Sequence, residues 1–253
     1  MIVLITDFTL AGPYTGQVKA VLSRLSPDTP VIDLFSDLPP FAPQLGAYLI
    51  RAYAEEFPAG TVFLCVVDPG VGGNRAAGIL KAGGRWFVGP GNGLFEPLIR
   101  RSDSGDPPRW YDIGHDIDRL PQRLSATFHG RDLFAPVAAG LARGDGPDGP
   151  QTPIDCSRRP DWPDDLARIV YFDRFGNALT GIRAAVVAEN AVISAGEREL
   201  TRAKIFSDVP PGEIIWYENS NGLAEIAVNR GSARKILGLE LGDAVVIEPP
   251  VGS

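Results

Sequence analysis

TVFLCVVDPGVGGNR, Thr61 to Arg75, opens as an unbroken apolar run and ends in a loop of proline and glycines closed by an arginine. An apolar, β-branched run bounded by Gly and Pro reads as a strand buried on both faces, the kind found in parallel sheets. On its N-terminal side, QLGAYLIRAYAEEF places Leu45, Tyr48, Leu49 and Tyr53 at helical spacing, and VIDL before it is a short strand. Further back, MIVLITD reads as a buried first strand and QVKAVLSRL as a helix. This strand, helix, strand order predicts a mainly parallel sheet covered by helices. On the C-terminal side, GILKAGGRWFVGP predicts a hairpin, and DLFAPVAAGLARG predicts a helix beginning near Asp132 and ending at Gly144.

The texture then changes. The stretch ahead of Asp165 is dense in Gly, Pro and Asp and has no apolar periodicity, which predicts a linker. Beyond it, ARIVYFDRFG, AVVAENAVISAG, GEIIWYENSNG, LAEIAVNRG and DAVVIEPP are short β-branched runs between Gly, Asn or Pro turns, with one short helix at SARKILG. The expected plan is an α/β N-terminal domain over residues 1–146, a linker over 147–165 and a small all-β barrel C-terminal domain over 166–253.

Composition narrows the function. The 253 residues, 44% of them hydrophobic, suffice for sizeable cores. With 24 basic against 31 acidic residues the chain lacks the cationic footprint that a phosphate backbone needs, so nucleic acid is not an expected partner. A neutral or cationic small molecule suits the net charge of −7 better. The two cysteines build no disulfide framework and no run approaches a membrane span, so a soluble cytoplasmic protein is expected.

Ligands of open α/β sheets bind beyond the carboxyl ends of strands. Asp7 and Asp68 both stand there, and neither loop carries a phosphate-cradling glycine signature. Such an aspartate commonly closes a turn, but two in one domain also suit a ribose diol or a polarised water. Arg75 can fold back to hold Asp68. His129, in SATFHGRD, suits a pocket wall or a structural place equally, and His115 among acidic residues reads as a loop residue. A zinc site from His129, Asp132 and Asp68 has little support from two histidines, so no metal is expected. Asn177, Ser220, Asn221 and Asn229 either build turns or read a base edge, with Phe175, Trp216 and Tyr217 as core residues or stacking faces.

Taken in order, ITDF, GPYTGQVKAVL, VIDL, FPAGTVFLCVVDPGVGGNR, FVGPGNGLF, ATFHGRDLFAPVAAGL, DRFGNALT and ENSNGLAEIAVNRGSA resemble the motifs of the S-adenosyl-L-methionine hydroxide adenosyltransferase family, relatives of enzymes that fluorinate or chlorinate the same substrate. The resemblance implies a homotrimer with active sites at subunit contacts, no cofactor, and attack of water or hydroxide on the ribose 5′ carbon to give adenosine and L-methionine. It implies that Asp68, Arg75 and His129 surround the attacking water and that Asp7 binds the ribose hydroxyls. Asp173 would meet the methionine ammonium and Ser220 its carboxylate, with Asn177 and the backbone of Arg230, Ser232 and Ala233 facing adenine. Which of Asp68 and His129 takes the proton stays open. The alternatives are a halogenase or a non-catalytic binding module. The chain departs from the family pattern at Thr9, where Gly is usual after ITDF, and at Gly91, where PDNG is usual. The connection from Ser102 to Pro108 shows no sign of the extra loop of the fluorinating relatives.

Overall fold

A computed structural model describes residues 1–101, 106–113, 124–147 and 151–248. The chain divides into two compact units, Met1–Asp161 and Trp162–Ser253. His115 lies outside the described residues, as does the 102–105 part of the connection read as loop-free.

The first unit is built on β1 (Ile2–Thr6), β2 (Val31–Phe35), β3 (Val62–Val66), β4 (Ala77–Ala82), β5 (Arg85–Pro90) and β6 (Arg109–Asp112), in the order β2-β1-β3-β5-β4-β6. The pairs β1·β2, β1·β3 and β3·β5 are parallel, while β4 is antiparallel to β5 and β6. The expected hairpin is therefore β4–β5. Both faces of β1 and β3 are buried, which is why their sequences are continuous and not alternating. On one face Ile2, Leu4, Val62 and Leu64 pack with Val18 and Leu22 of α1 (Tyr14–Leu25) and Val137 and Leu141 of α4 (Ala135–Arg143). On the other, the Phe63 and Phe87 rings stack with centroids 4.9 Å apart. α2 (Pro43–Ala54) starts on a proline, and α3 (Glu96–Arg100) has one in its first turn, where the missing N–H costs nothing.

The helix expected from Asp132 begins as a π-helical turn, Gly130–Phe134, and becomes α4 at Ala135. Asp132 does not cap it. Its carboxylate accepts the Ser125 amide at 2.9 Å and both Nε and Nη2 of Arg131. The far end matches the reading, with Gly144 left-handed at φ 93°.

The described part of the Gly/Pro/Asp-rich stretch is not a free tether. Thr152 donates to the Trp110 carbonyl, Ile154–Ser157 forms a 3-10 turn, and Arg158 with the Arg159 amide closes on the Glu96 carboxylate. Glu96 is 1% exposed and also takes Arg100 Nε at 2.8 Å, so α3 and residues 158–159 share one buried anion.

The second unit is a nearly closed barrel, ordered β13-β9-β10-β11-β12-β8-β7. Its strands are β7 (Leu166–Phe172), β8 (Ala178–Arg183), β9 (Val192–Ala195), β10 (Arg198–Arg202), β11 (Ile214–Glu218), β12 (Leu223–Val228) and β13 (Val245–Glu248). The ends meet where Ile169 and Gly242–Asp243 exchange backbone hydrogen bonds. All pairs are antiparallel except β10·β11. Ile169, Ile193, Trp216, Ile226 and Val245 share its core. The short helix is α5 (Ala233–Leu237), capped by Ser232, whose hydroxyl accepts the Lys235 amide. Two strands differ from expectation. AVVAEN opens within the 3-10 turn Ala184–Val186, and the strand lies earlier, in ALTGIR, where Thr180 and Gly181 interrupt the apolar pattern. β10, RELTR, is polar on one face and carries only Leu200 inward.

Candidate active site

β1 and β3 are neighbours in register, Thr6 opposite Val66, so Asp7 and Asp68 leave the sheet side by side at its carboxyl edge. There they line a cleft of about 200 Å³ together with Phe8, Tyr14, Phe128 and His129. Burial raises the Asp7 carboxyl above its usual range, opposed by the Phe41 amide and reinforced by the charge of Asp68.

The glycine loop has a structural reason. Turns at Asp68–Val71 and Gly70–Gly73 fold it tightly, and at Gly72, φ 79°, a Cβ would fall on the carbonyl oxygen of Ala126. The space that the missing side chains leave at Gly72 is taken by the chain leading to His129, and does not remain open for a ligand. Arg75 thereby returns to Asp68: Nε lies 3.0 and 3.1 Å from the two carboxylate oxygens, and Nη2 joins Oδ2. The same Nη2 lies 2.8 Å from His129 Nδ1. The Asp68 and Arg75 side chains are 4% and 11% exposed, so this is a desolvated pair and not a surface one. Arg75 also lies over the Phe134 ring at 5.3 Å.

A guanidinium donates and never accepts, so His129 Nδ1 must be the acceptor and the ring proton sits on Nε2. Desolvation and the Arg75 charge keep the imidazole neutral by lowering its proton affinity, against the opposing negative charges of Asp68 and Asp132. Asp132 is committed to Arg131 and Ser125, and among the described residues no group of three or more His, Cys, Asp or Glu is disposed to hold a metal.

Three aromatic rings that the strand-end rule did not single out wall the cleft. Phe128 meets Phe8 at 5.7 Å and Tyr14 at 5.2 Å, both edge-on. Their signal was faint, since Phe8 and Phe128 each sit one residue from a candidate polar group. A Cβ at Gly130 would strike the Phe8 ring, so the glycine after His129 is what lets that ring in.

In the second unit Asp173 closes the DRFGN turn. Its carboxylate accepts the amides of Phe175 and Asn177 and the Asn177 side chain, all at 2.9 Å. Oδ2 keeps an acceptor direction for another donor. Ser232 and Ala233 adjoin this turn, because a Cβ at Gly176 would collide with Ser232 and the Arg234 amide donates to the Gly176 carbonyl. Arg230 is exposed at a left-handed turn, φ 59°. Ser220 is not beside them: Leu223 faces Arg183 and Ile226 faces Ala178, which sets the ENSNG turn at the opposite end of the β8·β12 ladder from Asn177. Trp216 is wholly buried in the barrel core and cannot stack on a ligand, whereas Phe175 is 69% exposed. Asn229 holds the Val209 carbonyl at 2.7 Å and so builds its turn.

Both departures from the family pattern have local explanations. Thr9 adopts φ 59°, the conformation glycine would take freely, and is held there by the Ser36 carbonyl and the Thr15 hydroxyl. A side chain at Gly91 would meet the Ala76 methyl group at 2.8 Å, so an aspartate fits only if Ala76 yields.

Models of the SAM hydroxide adenosyltransferase N-terminal domain and C-terminal domain match residues 2–149 and 167–246. The chain is 41% identical to an (R)-S-adenosyl-L-methionine hydrolase of Thermus thermophilus, covering 94% of this chain and 95% of that protein. It resembles the crystal structure of an uncharacterized conserved protein from Thermotoga maritima with a TM-score of 0.81 and 30% identity, covering 98% and 100% of the two chains. A fluorinase of Actinopolyspora mzabensis is 24% identical over 97% of this chain and 96% of its own. With both domain models matched in order and the Asp68, Arg75 and His129 groups gathered at one strand edge, the chain belongs to the SAM hydroxide adenosyltransferase family.

Proposed function

We propose that this protein hydrolyses S-adenosyl-L-methionine to adenosine and L-methionine. The observation that carries the reading is the Arg75 guanidinium clamped between Asp68 and His129 at the cleft. The water oxygen bonds to the ribose 5′ carbon as the carbon–sulfur bond breaks, its electron pair going to sulfur. The leaving group is a neutral thioether, so it needs no general acid, and the step balances without a metal or organic cofactor. The barrier lies in placing and desolvating the nucleophile. Asp68, oriented by Arg75, accepts the proton of the water. His129 does not serve as the base, because Nδ1 is occupied by Arg75 and Nε2 already carries hydrogen; it offers Nε2–H to fix the water.

In the same reading Asp7 takes the ribose hydroxyls. Asp173 takes the methionine ammonium, and Asn177 with the backbone at Arg230, Ser232 and Ala233 takes adenine; Ser220, at the other end of the β8·β12 ladder, is left out of this set. These meet at subunit contacts of a cytoplasmic homotrimer. Support for a covered cleft comes from Tyr14 and Phe41 in its lining, which are 50% and 78% exposed in the single chain.

A halide in place of the water would face the Asp68 charge, and the fluorinase likeness is the more distant one. The test is adenosine and methionine release by the purified protein, with chloride and fluoride as competitors. Asp68→Ala is expected to lose about 10²–10⁴-fold in kcat, the range of a positioned base. Absence of adenosine from the wild type, or unchanged turnover in Asp68→Ala, refutes the reading.

A further inference from the structure

The His129 loop is held by a cluster that the proposed chemistry does not use. Arg131 donates Nε and Nη2 to the two Asp132 oxygens at 2.6 and 2.9 Å, and Nη1 to Gln17 of α1 at 2.8 Å. Its guanidinium also covers the Phe128 ring at 5.1 Å. Asp132, itself 9% exposed, accepts the Ser125 amide four residues ahead of His129. One ion pair therefore ties together the helix bearing Tyr14, the turn leading into His129 and the ring of Phe128. Between Asp132 and His129 the backbone runs through a π-helical turn, a geometry less regular than an α-helix and frequent beside functional groups.

We propose that Asp132, acting through Arg131, is a positioning residue that sets the His129 imidazole against Arg75. The helix start lacks a side-chain cap, so this ion pair is what ties the turn to α1, while the Phe134 ring meets the imidazole edge-on at 6.5 Å. The kinetic consequence rests on the hydrolase reading. The geometric consequence does not. Loss of the pair lets the turn swing, separates Nδ1 from the Arg75 guanidinium and frees the ring to exchange tautomers.

Two measurements on the full-length protein test this. With only two histidines in the chain, imidazole nitrogen NMR resolves the His129 tautomer directly. Wild type is expected to show the Nε2–H form alone. Asp132→Asn is expected to show a mixture, with kcat lowered about 10²-fold, as for a displacement near 1 Å, and KM within a factor of about 3. Gln17→Leu, which cuts one contact and leaves the ion pair, should show the same direction at smaller size and serves if Asp132→Asn fails to fold. Both variants keeping the wild-type tautomer and wild-type kcat would overturn the proposal, as would a loss of thermal stability with unchanged kinetics in the folded fraction. A wild type that shows the fixed tautomer but releases no adenosine sinks the hydrolase reading and leaves the positioning role intact.

Discussion

His129 is the residue whose chemistry depends most on its neighbours. Burial and Arg75 together lower its proton affinity below the ordinary histidine value of 6.5. Protonation would put N–H on Nδ1, facing a guanidinium, and expel the ring from its place. In the unfolded chain the same imidazole titrates near its ordinary value. Between the two values the unfolded state binds more protons, so stability falls as pH drops from 6.5 toward the lowered value. The acid limb of kcat/KM is accordingly expected below 6.5, and a limb at or above that pH would contradict the neutral, Arg75-bound imidazole.

At the scale of elements, the segment least readable from sequence turned out to be anchored. Glu96 on α3 is buried and holds Arg100, Arg158 and the Arg159 amide. Burial alone would raise its carboxyl, but these donors outweigh it and hold the group below its ordinary 4.5. The sign follows: the stabilisation is full above the unfolded value and disappears as pH falls through the folded one. Glu96→Gln leaves two cations and an amide short of an anion and is expected to cost about 3 kcal/mol at pH 7. Chemical denaturation at pH 7 and pH 4 checks it, with the gap between wild type and variant narrowing at the lower pH. β8 and β10 teach a related lesson, since a strand with Gly181 at its centre or charges on its outer face has too weak an alternation to be read alone.

For the whole molecule, the proposed trimer makes a physical demand. Sedimentation equilibrium is expected to give three times the chain mass at micromolar concentration, and a monomer would remove the cover proposed for Tyr14 and Phe41. The two-part plan, the parallel sheet and both strand-end aspartates were legible in advance, because buried strands, amphipathic helices and Gly or Pro breaks are written in local order. Asp68 and Arg75 were also within reach, being seven residues apart on one loop.

What local order could not convey is anything that depends on a distant chain segment arriving. His129 comes to Arg75 across 54 residues, the Ala126 carbonyl fills the space at Gly72, and Arg158 finds Glu96 across 62. Sequence by itself determined the elements, the strand ends and the residue types available there, since these follow from periodicity and side-chain chemistry. Tertiary structure alone decided the protonation pattern of the site. A tautomer is chosen by the donor that faces it, and that donor is a matter of packing.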